Sequence, residues 1–332
     1  MVYFSLKRIG CVLLLSLCAA DVCSQQPFEL KVSSANDNYC FQYHDGYYTN
    51  GLFLRVNYLP RSFNLVNQET RKLTRVTAYY QLGQMIFTPD YLKVSAVSQI
   101  DRPYAGYLFV QKGMNFFYRR GHILNANLSL GTIGRTSLAQ QTQLFVHQLF
   151  DLIPPNERLW SYQIKNEVGA NLQVQYWHEL MPTNRRKRWF DVDVHGTSQI
   201  TLGNTFTNAS AGLLIQGGLF ERPNHSSLYD ARLERQLPDT RKPAELYFFV
   251  RPTFQYQVYN ATIEGRLFST NAGSVLSGIN PWVYMYDVGV VYSQQRWTFQ
   301  LAYSWKEKEA LTMRQADQYA TITAAYCFRE RQ

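Results

Sequence analysis

Between Arg296 and Lys306 apolar and polar residues alternate. Trp297, Phe299, Leu301, Tyr303 and Trp305 fall on one side, and Arg296, Thr298, Gln300, Ser304 and Lys306 on the other. Leu52, Leu54, Val56 and Tyr58 alternate in the same way with Phe53, Arg55 and Asn57, as do Phe190, Val192 and Val194 with Asp191, Asp193 and His195. Successive side chains of an extended chain point to opposite faces, so a period of two predicts strands. About twelve such segments follow one another, near 28–40, 48–58, 73–86, 105–119, 122–132, 167–178, 189–201, 208–220, 245–258, 283–294, 296–306 and 317–328. Many reach ten residues, long for a soluble sheet and suited to a tilted strand crossing hydrocarbon. The pattern predicts an all-β fold, a transmembrane antiparallel β-barrel of about 12 strands. A soluble β-sandwich is the alternative, and it needs a second sheet over each apolar face and shorter strands.

Composition agrees with a membrane wall and removes other classes. Of 332 residues, 46% are hydrophobic and 15% aromatic, yet only 17% are charged, which excludes a disordered chain. The longest apolar stretch, Ile9–Ala20, is too short for a membrane helix. It follows Lys7 and Arg8 and precedes Val22-Cys23-Ser24, the order of a secretory signal peptide over 1–24. The remaining domain is an outer-membrane β-barrel over 25–332. Cys11, Cys18 and Cys23 leave with the signal; Cys40 and Cys327 sit at opposite ends of their strands, too far apart for a disulfide, and are expected as free thiols. Export makes nucleic acid an improbable partner for a chain of net charge +9, and anionic lipid the better one.

With the N-terminus in the periplasm, even-to-odd links lie on the inner rim. These carry Arg61, Arg71-Lys72, Arg119-Arg120-Gly121 and Arg185-Arg186-Lys187-Arg188, read as head-group anchors or solvated turns. One outer link contains a short helix: Ser137-Leu-Ala-Gln140 has the spacing of a capping box, Leu138–Phe150 reads as helical, and Pro154-Pro155 ends it. Gln143 and His147 share a face of that helix, while Leu138, Phe145 and Leu149 are expected against the barrel wall or lipid.

The polar motifs gather on the outer rim. They are Asn36-Asp37-Asn38, Asp45 with Tyr48-Thr49-Asn50-Gly51, Asp101-Arg102-Pro103-Tyr104-Ala105-Gly106, the Gln143/His147 pair, and Asn166-Glu167. There is no Gly-x-Ser-x-Gly elbow, no His/Cys spacing for zinc and no phosphate-binding Gly loop.

Asn36-Asp37, Asp45…Tyr48-Thr49-Asn50-Gly51-Leu52, Asp101-Arg-Pro-Tyr-Ala-Gly106, Gly131-Thr-Ile-Gly134 with Ser137, and Gln143-x-x-x-His147 together resemble the outer-membrane lipid A 3-O-deacylases, a calcium-dependent family of twelve-stranded barrels. Trp160 and Gln163 through Glu167 continue the resemblance, which covers about residues 28–328. The resemblance implies hydrolysis of the 3′-linked acyl or acyloxyacyl ester of lipid A in lipopolysaccharide at the bacterial cell outer membrane, and the chain is expected as a monomer among outer-membrane lipids. Ester hydrolysis needs a base for water and a positive group for the oxyanion. His147 is the implied base, Gln143 its neighbour that orients the ring or the water, and Asn36 and Thr49 the residues that position the carbonyl or support the metal shell. Asp37 is the implied Ca²⁺ ligand, with Glu167 as a further metal or site residue. Arg102, with Lys93, is a candidate for a lipid A phosphate, or Arg102 braces Asp101. A non-enzymatic barrel (a pore or lipid-binding scaffold) and a phospholipase-type barrel stay open as alternatives.

Overall fold

The computed structural model describes residues 27–40, 46–60, 73–90, 94–149, 151, 155–181, 190–233 and 243–328. The signal peptide, Asp45, Lys93 and the basic residues Arg61, Arg71, Lys72 and Arg185–Arg188 lie outside the described residues. The strands are β1 (Phe28–Asn36), β2 (Tyr47–Tyr58), β3 (Leu73–Thr88), β4 (Ala105–Tyr118), β5 (Ile123–Ile133) and β6 (Glu167–Glu179). They continue as β7 (Asp191–Gly203), β8 (Phe206–Leu219), β9 (Glu245–Asn260), β10 (Trp282–Gln294), β11 (Trp297–Lys306) and β12 (Asp317–Phe328). Each pairs antiparallel with its neighbours, and β1 closes on β12 with Phe28 opposite Phe328 and Asn36 opposite Ala320. Closure leaves no unpaired edge, the condition for strands in hydrocarbon.

All twelve expected segments are strands, with ends shifted by a few residues. The first stops early: a 3-10 turn over Asp37–Cys40 replaces its last four residues. Outward positions are apolar and uncovered, as with Leu130, Leu172, Ile200, Leu202, Phe248 and Leu301. Such a continuous apolar band is what a lipid-facing wall requires. Aromatic girdles flank it. Tyr256, Trp282, Tyr284, Tyr286 and Trp305 pack at the outer end, and Trp297, Tyr326 and Phe328 at the inner end. Cys40 and Cys327 are both free thiols.

Inward positions are polar and bonded to one another. Asn125 donates to Asn115 at 2.7 Å and Asn127 donates to Asn125 at 2.9 Å. Lys31 and Arg55 are direct partners in the β1–β2 ladder, and two cations in that register repel. The β8–β9 link relieves the repulsion. It folds a short turn, Ser227–Tyr229, into the inner mouth of the barrel, and the following Asp230 adopts the left-handed conformation (φ 56°). Asp230 pairs with Lys31 and accepts from Arg55 Nη1 at 2.7 Å. Tyr229 and Ala231 join the packed cluster around Phe117, Ile123, Tyr247 and Phe249. Arg232 anchors the link to Glu245 at 3.0 Å, and Glu245 also accepts from the Ser227 amide. This segment forms a plug.

Removing the plug's central anion leaves two half-buried cations facing each other. Asp230→Asn is expected to lower stability by about 3 kcal/mol. It should also raise single-channel conductance in planar bilayers above that of the wild type; equal conductance and equal melting would show that Asp230 does not latch the plug.

Candidate active site

The site is built on the outer ends of β1 to β4 and on one helix. Alternation sends Ala35 and Tyr48 to the lumen, where both line a cavity of about 440 Å³ with Phe87, Tyr107 and Tyr319. Asn36, next to Ala35, therefore faces outward. Thr49 would face the lumen if β2 were regular, because Phe53 and Arg55 do. A β-bulge intervenes: Tyr48 pairs with Phe87 and Asn50 with Ile86, leaving Thr49 unpaired. One extra residue inverts the parity of everything beyond it. Thr49 thus turns outward, its hydroxyl 2.5 Å from that of Thr88. Its carbonyl, freed from the ladder, accepts from Asn36 Nδ2 at 2.9 Å. Asn36 Oδ1 accepts from the Asn38 amide at 2.8 Å, so one side chain fixes both the bulge and the turn. Asp37 follows in that turn, buried, accepting from the amides of Asn38 at 2.9 Å and Gly46 at 2.7 Å.

Helix α1 (Ala139–Leu149) docks on the outside of this wall, against β3 and β4. Gly106 permits it: a Cβ there would lie 2.1 Å from Ser137 Oγ and 2.2 Å from the Ala139 Cβ. The helix does not start as the capping-box spacing predicts. Leu138 is left-handed (φ 60°), and Ser137 Oγ donates back to the Gly134 carbonyl at 2.5 Å. The box fails because a 3-10 turn over Arg135–Ser137 takes the hydroxyl first. Ala139, Gln143 and His147 form the buried stripe of α1, four residues apart on one face. Phe145 and Leu149, each 63% exposed, point away into the surroundings. The polar stripe faces protein and the apolar one faces lipid.

Trp160 closes the stripe from below. It is fully buried against Tyr104 with ring centroids 4.8 Å apart, in a cluster with Ile86, Ile100, Ala139 and Leu159. Its Nε1–H donates to Gln143 Oε1 at 2.9 Å. Indole is only a donor, so this bond settles which end of the amide is oxygen. Gln143 Nε2 is left buried and without a protein partner. A buried donor with no acceptor costs about 1–3 kcal/mol. One turn along sits His147, 6% exposed. The arrangement presents an imidazole and a fixed N–H donor side by side.

Other expected residues stand elsewhere. Arg102 is 1% exposed. It pairs with Glu309, donates to Thr262 Oγ1 at 3.1 Å and stacks on Phe87 at 4.1 Å. It therefore neither meets a lipid phosphate nor braces Asp101, which instead accepts from Tyr47 OH at 2.7 Å and the Asp90 amide at 3.1 Å. Glu167 accepts from the amides of Leu267 at 3.2 Å and Phe268 at 3.1 Å, holding the β9–β10 link. It lies on β6, five strands from β1, so roughly 24 Å of wall separates it from Asp37. The two carboxylates do not share an ion. Among the described residues no set of three or more His, Cys, Asp or Glu is arranged to hold a metal. Asp37 lines a small pocket with Asp90 and Asp317, hard-oxygen groups of the kind calcium takes.

A sequence model of the family described as outer membrane protein LpxR matches residues 8–328. The chain belongs to the LpxR family. This is the lipid A 3-O-deacylase family that the motifs resemble, and it places the barrel in the bacterial outer membrane. Among solved structures, LpxR from Salmonella typhimurium aligns with a TM-score of 0.69 at 19% identity, over 90% of this chain and 99% of that one. The β domain of the Bordetella autotransporter BrkA aligns at 9% identity and TM-score 0.45, over 91% and 99%. The translocator domain of NalP from Neisseria meningitidis aligns at 11% and 0.43, over 98% of each chain. No curated protein sequence matches the chain.

Within this LpxR-family barrel the outer loops are locked by charge. Burial works against the Glu309 carboxylate, but Lys306 and Arg102 outweigh it and draw its pKa from 4.5 down to about 2. Thr312 Oγ1 reaches the Asp101 carbonyl at 2.6 Å, so the β3–β4 and β11–β12 links are tied twice. A depressed carboxylate stabilises fully above its unfolded pKa and loses that contribution as pH falls through the folded one. The contribution of this ion pair to the melting temperature should therefore be complete above about pH 5 and be lost between pH 4.5 and 2. Glu309→Gln should remove that slope while costing about 3 kcal/mol at neutral pH, read by thermal unfolding in detergent micelles.

Proposed function

We propose that the protein hydrolyses the 3′-linked acyl or acyloxyacyl ester of lipid A at the outer leaflet. One observation carries this: Asn36, Thr49 and the Gln143/His147 helix all stand on the outside of the barrel, at the rim with the long links. Thr49, Gln143 and His147 are buried on that outer side, next to the leaflet, and Phe145 and Leu149 lie among its acyl chains. The lumen offers no such contact, since neither Gln143 nor His147 lines its cavity.

His147 takes a proton from water, and the resulting hydroxide attacks the ester carbonyl carbon. The carbonyl oxygen becomes an oxyanion, and Gln143 Nε2 is the donor held ready for it by Trp160. Collapse expels the sugar alkoxide, which recovers the proton from His147. The products are a carboxylic acid, which gives its proton to solvent at neutral pH, and a free 3′-hydroxyl. Asn36 and Thr49 hold the wall against which the carbonyl is placed. Calcium dependence belongs to this reading through the family resemblance alone.

The test is purified protein with lipopolysaccharide, products read by mass spectrometry, with Ca²⁺ or with chelator. His147→Ala should reduce turnover by about 10²-fold or more; unchanged turnover removes the mechanism, and hydrolysis of glycerophospholipids in preference to lipid A reassigns the substrate. Activity undiminished by chelator removes calcium. Trp160→Phe keeps an aromatic ring against Tyr104 but frees the Gln143 amide. It should lower kcat about ten-fold with KM little changed.

A further inference from the structure

The inner rim carries a cleft of about 590 Å³ on the lipid-facing wall, lined by Tyr118, Arg119, Arg120, His122, Leu124 and Tyr176. Its floor follows from register: Leu124 on β5 is opposite Tyr176 on β6, and both alternate outward. The next cross-strand pair is His122 with His178, their rings stacked at 4.7 Å and their Nδ1 atoms 3.1 Å apart. Tyr176 OH also lies 3.2 Å from His122 Nδ1. The cleft's upper edge is the β4–β5 turn, closed by Tyr118 N donating to the His122 carbonyl at 2.9 Å. Arg120 (φ 69°) and Gly121 (φ 73°) are both left-handed, which lets the chain reverse over three residues and leaves Arg119 and Arg120 exposed at the tip.

Two imidazole nitrogens at that separation share one proton or flank one ion. A metal cation is opposed by the two guanidiniums on the same cleft. Burial, His178 and Arg120, in that order, push the His122 pKa down, which favours its neutral ring. Glu179 alternates to the other side of β6, its carboxylate against Gly121, and does not line the cleft. What remains is a positive, aromatic-walled cleft with an apolar floor, at the depth where the head groups of the periplasmic leaflet lie.

We propose that this cleft is a head-group site for an anionic phospholipid of the periplasmic leaflet. Arg119 and Arg120 hold the phosphodiester with charge-assisted hydrogen bonds, and the glycerol and first methylenes lie over Tyr176 and Leu124. The site is at the opposite rim from the ester chemistry, and its test does not depend on that reading.

The experiment is native mass spectrometry of the detergent-solubilised full barrel, titrated with phosphatidylglycerol or with phosphatidylcholine. One phosphatidylglycerol should be retained per barrel. The double variant Arg119→Gln/Arg120→Gln should weaken it at least about ten-fold, with phosphatidylcholine unaffected. Millimolar inorganic phosphate should not displace the lipid. Equal retention by wild type and variant, equal affinity for phosphatidylcholine, or displacement by inorganic phosphate each overturns the proposal. If the double variant loses the heat-modifiable mobility of a folded barrel, the single variants Arg119→Gln and Arg120→Gln are read instead, and weaker retention of phosphatidylglycerol is expected in each; unchanged retention in both overturns the proposal.

Discussion

In hydrocarbon a backbone amide finds no water, and the closed ladder from β1 round to β12 is what satisfies every one of them in the wall. Side-chain parity follows from that ladder with no further freedom. Each strand must send alternate residues to lipid and to lumen, and an error of one residue exchanges the two. The bulge at Thr49 is the place where the protein uses this rule against itself. A regular β2 would bury the Thr49 hydroxyl in the lumen with Phe53 and Arg55; the inserted residue sends it to the lipid side, beside Asn36 and Thr88.

Two charged assemblies hold what the ladder cannot. At the outer rim Arg102, Glu309 and Lys306 tie links that are far apart in sequence, under a roof that includes Tyr47, Asp101 and Thr312. At the inner mouth Asp230 stands between Lys31 and Arg55. In each case a carboxylate from a loop neutralises cations that would otherwise be costly to bury. The loops are therefore parts of the barrel's electrostatics, and the helix with Gln143 and His147 rests on a rim that is already rigid.

The twelve strands were legible because period-two alternation is local, and every expected segment became a strand. The pairing of Gln143 with His147 was legible for the same reason, as a four-residue spacing on a helix. Contacts between distant links were not. No spacing joins Arg102 to Glu309, 207 residues apart, so a buried ion pair looked like a phosphate ligand. Glu167 carried a motif but was spent on the amides of Leu267 and Phe268. Trp160 stood in the resemblance without a role, since only the fold shows its indole against the Gln143 oxygen. The Ser137 capping box misled because a competing 3-10 turn has no sequence signature of its own.

The plug has a bearing on the cell envelope. A barrel this wide, if hollow, would be a leak for small polar solutes, and each copy inserted would erode the membrane's barrier. Folding Tyr229 and Asp230 into the inner mouth separates two properties that share one scaffold, a surface that faces lipid and a bore that faces water. A barrel whose bore is narrowed in this way can be numerous in the membrane at a smaller toll on permeability.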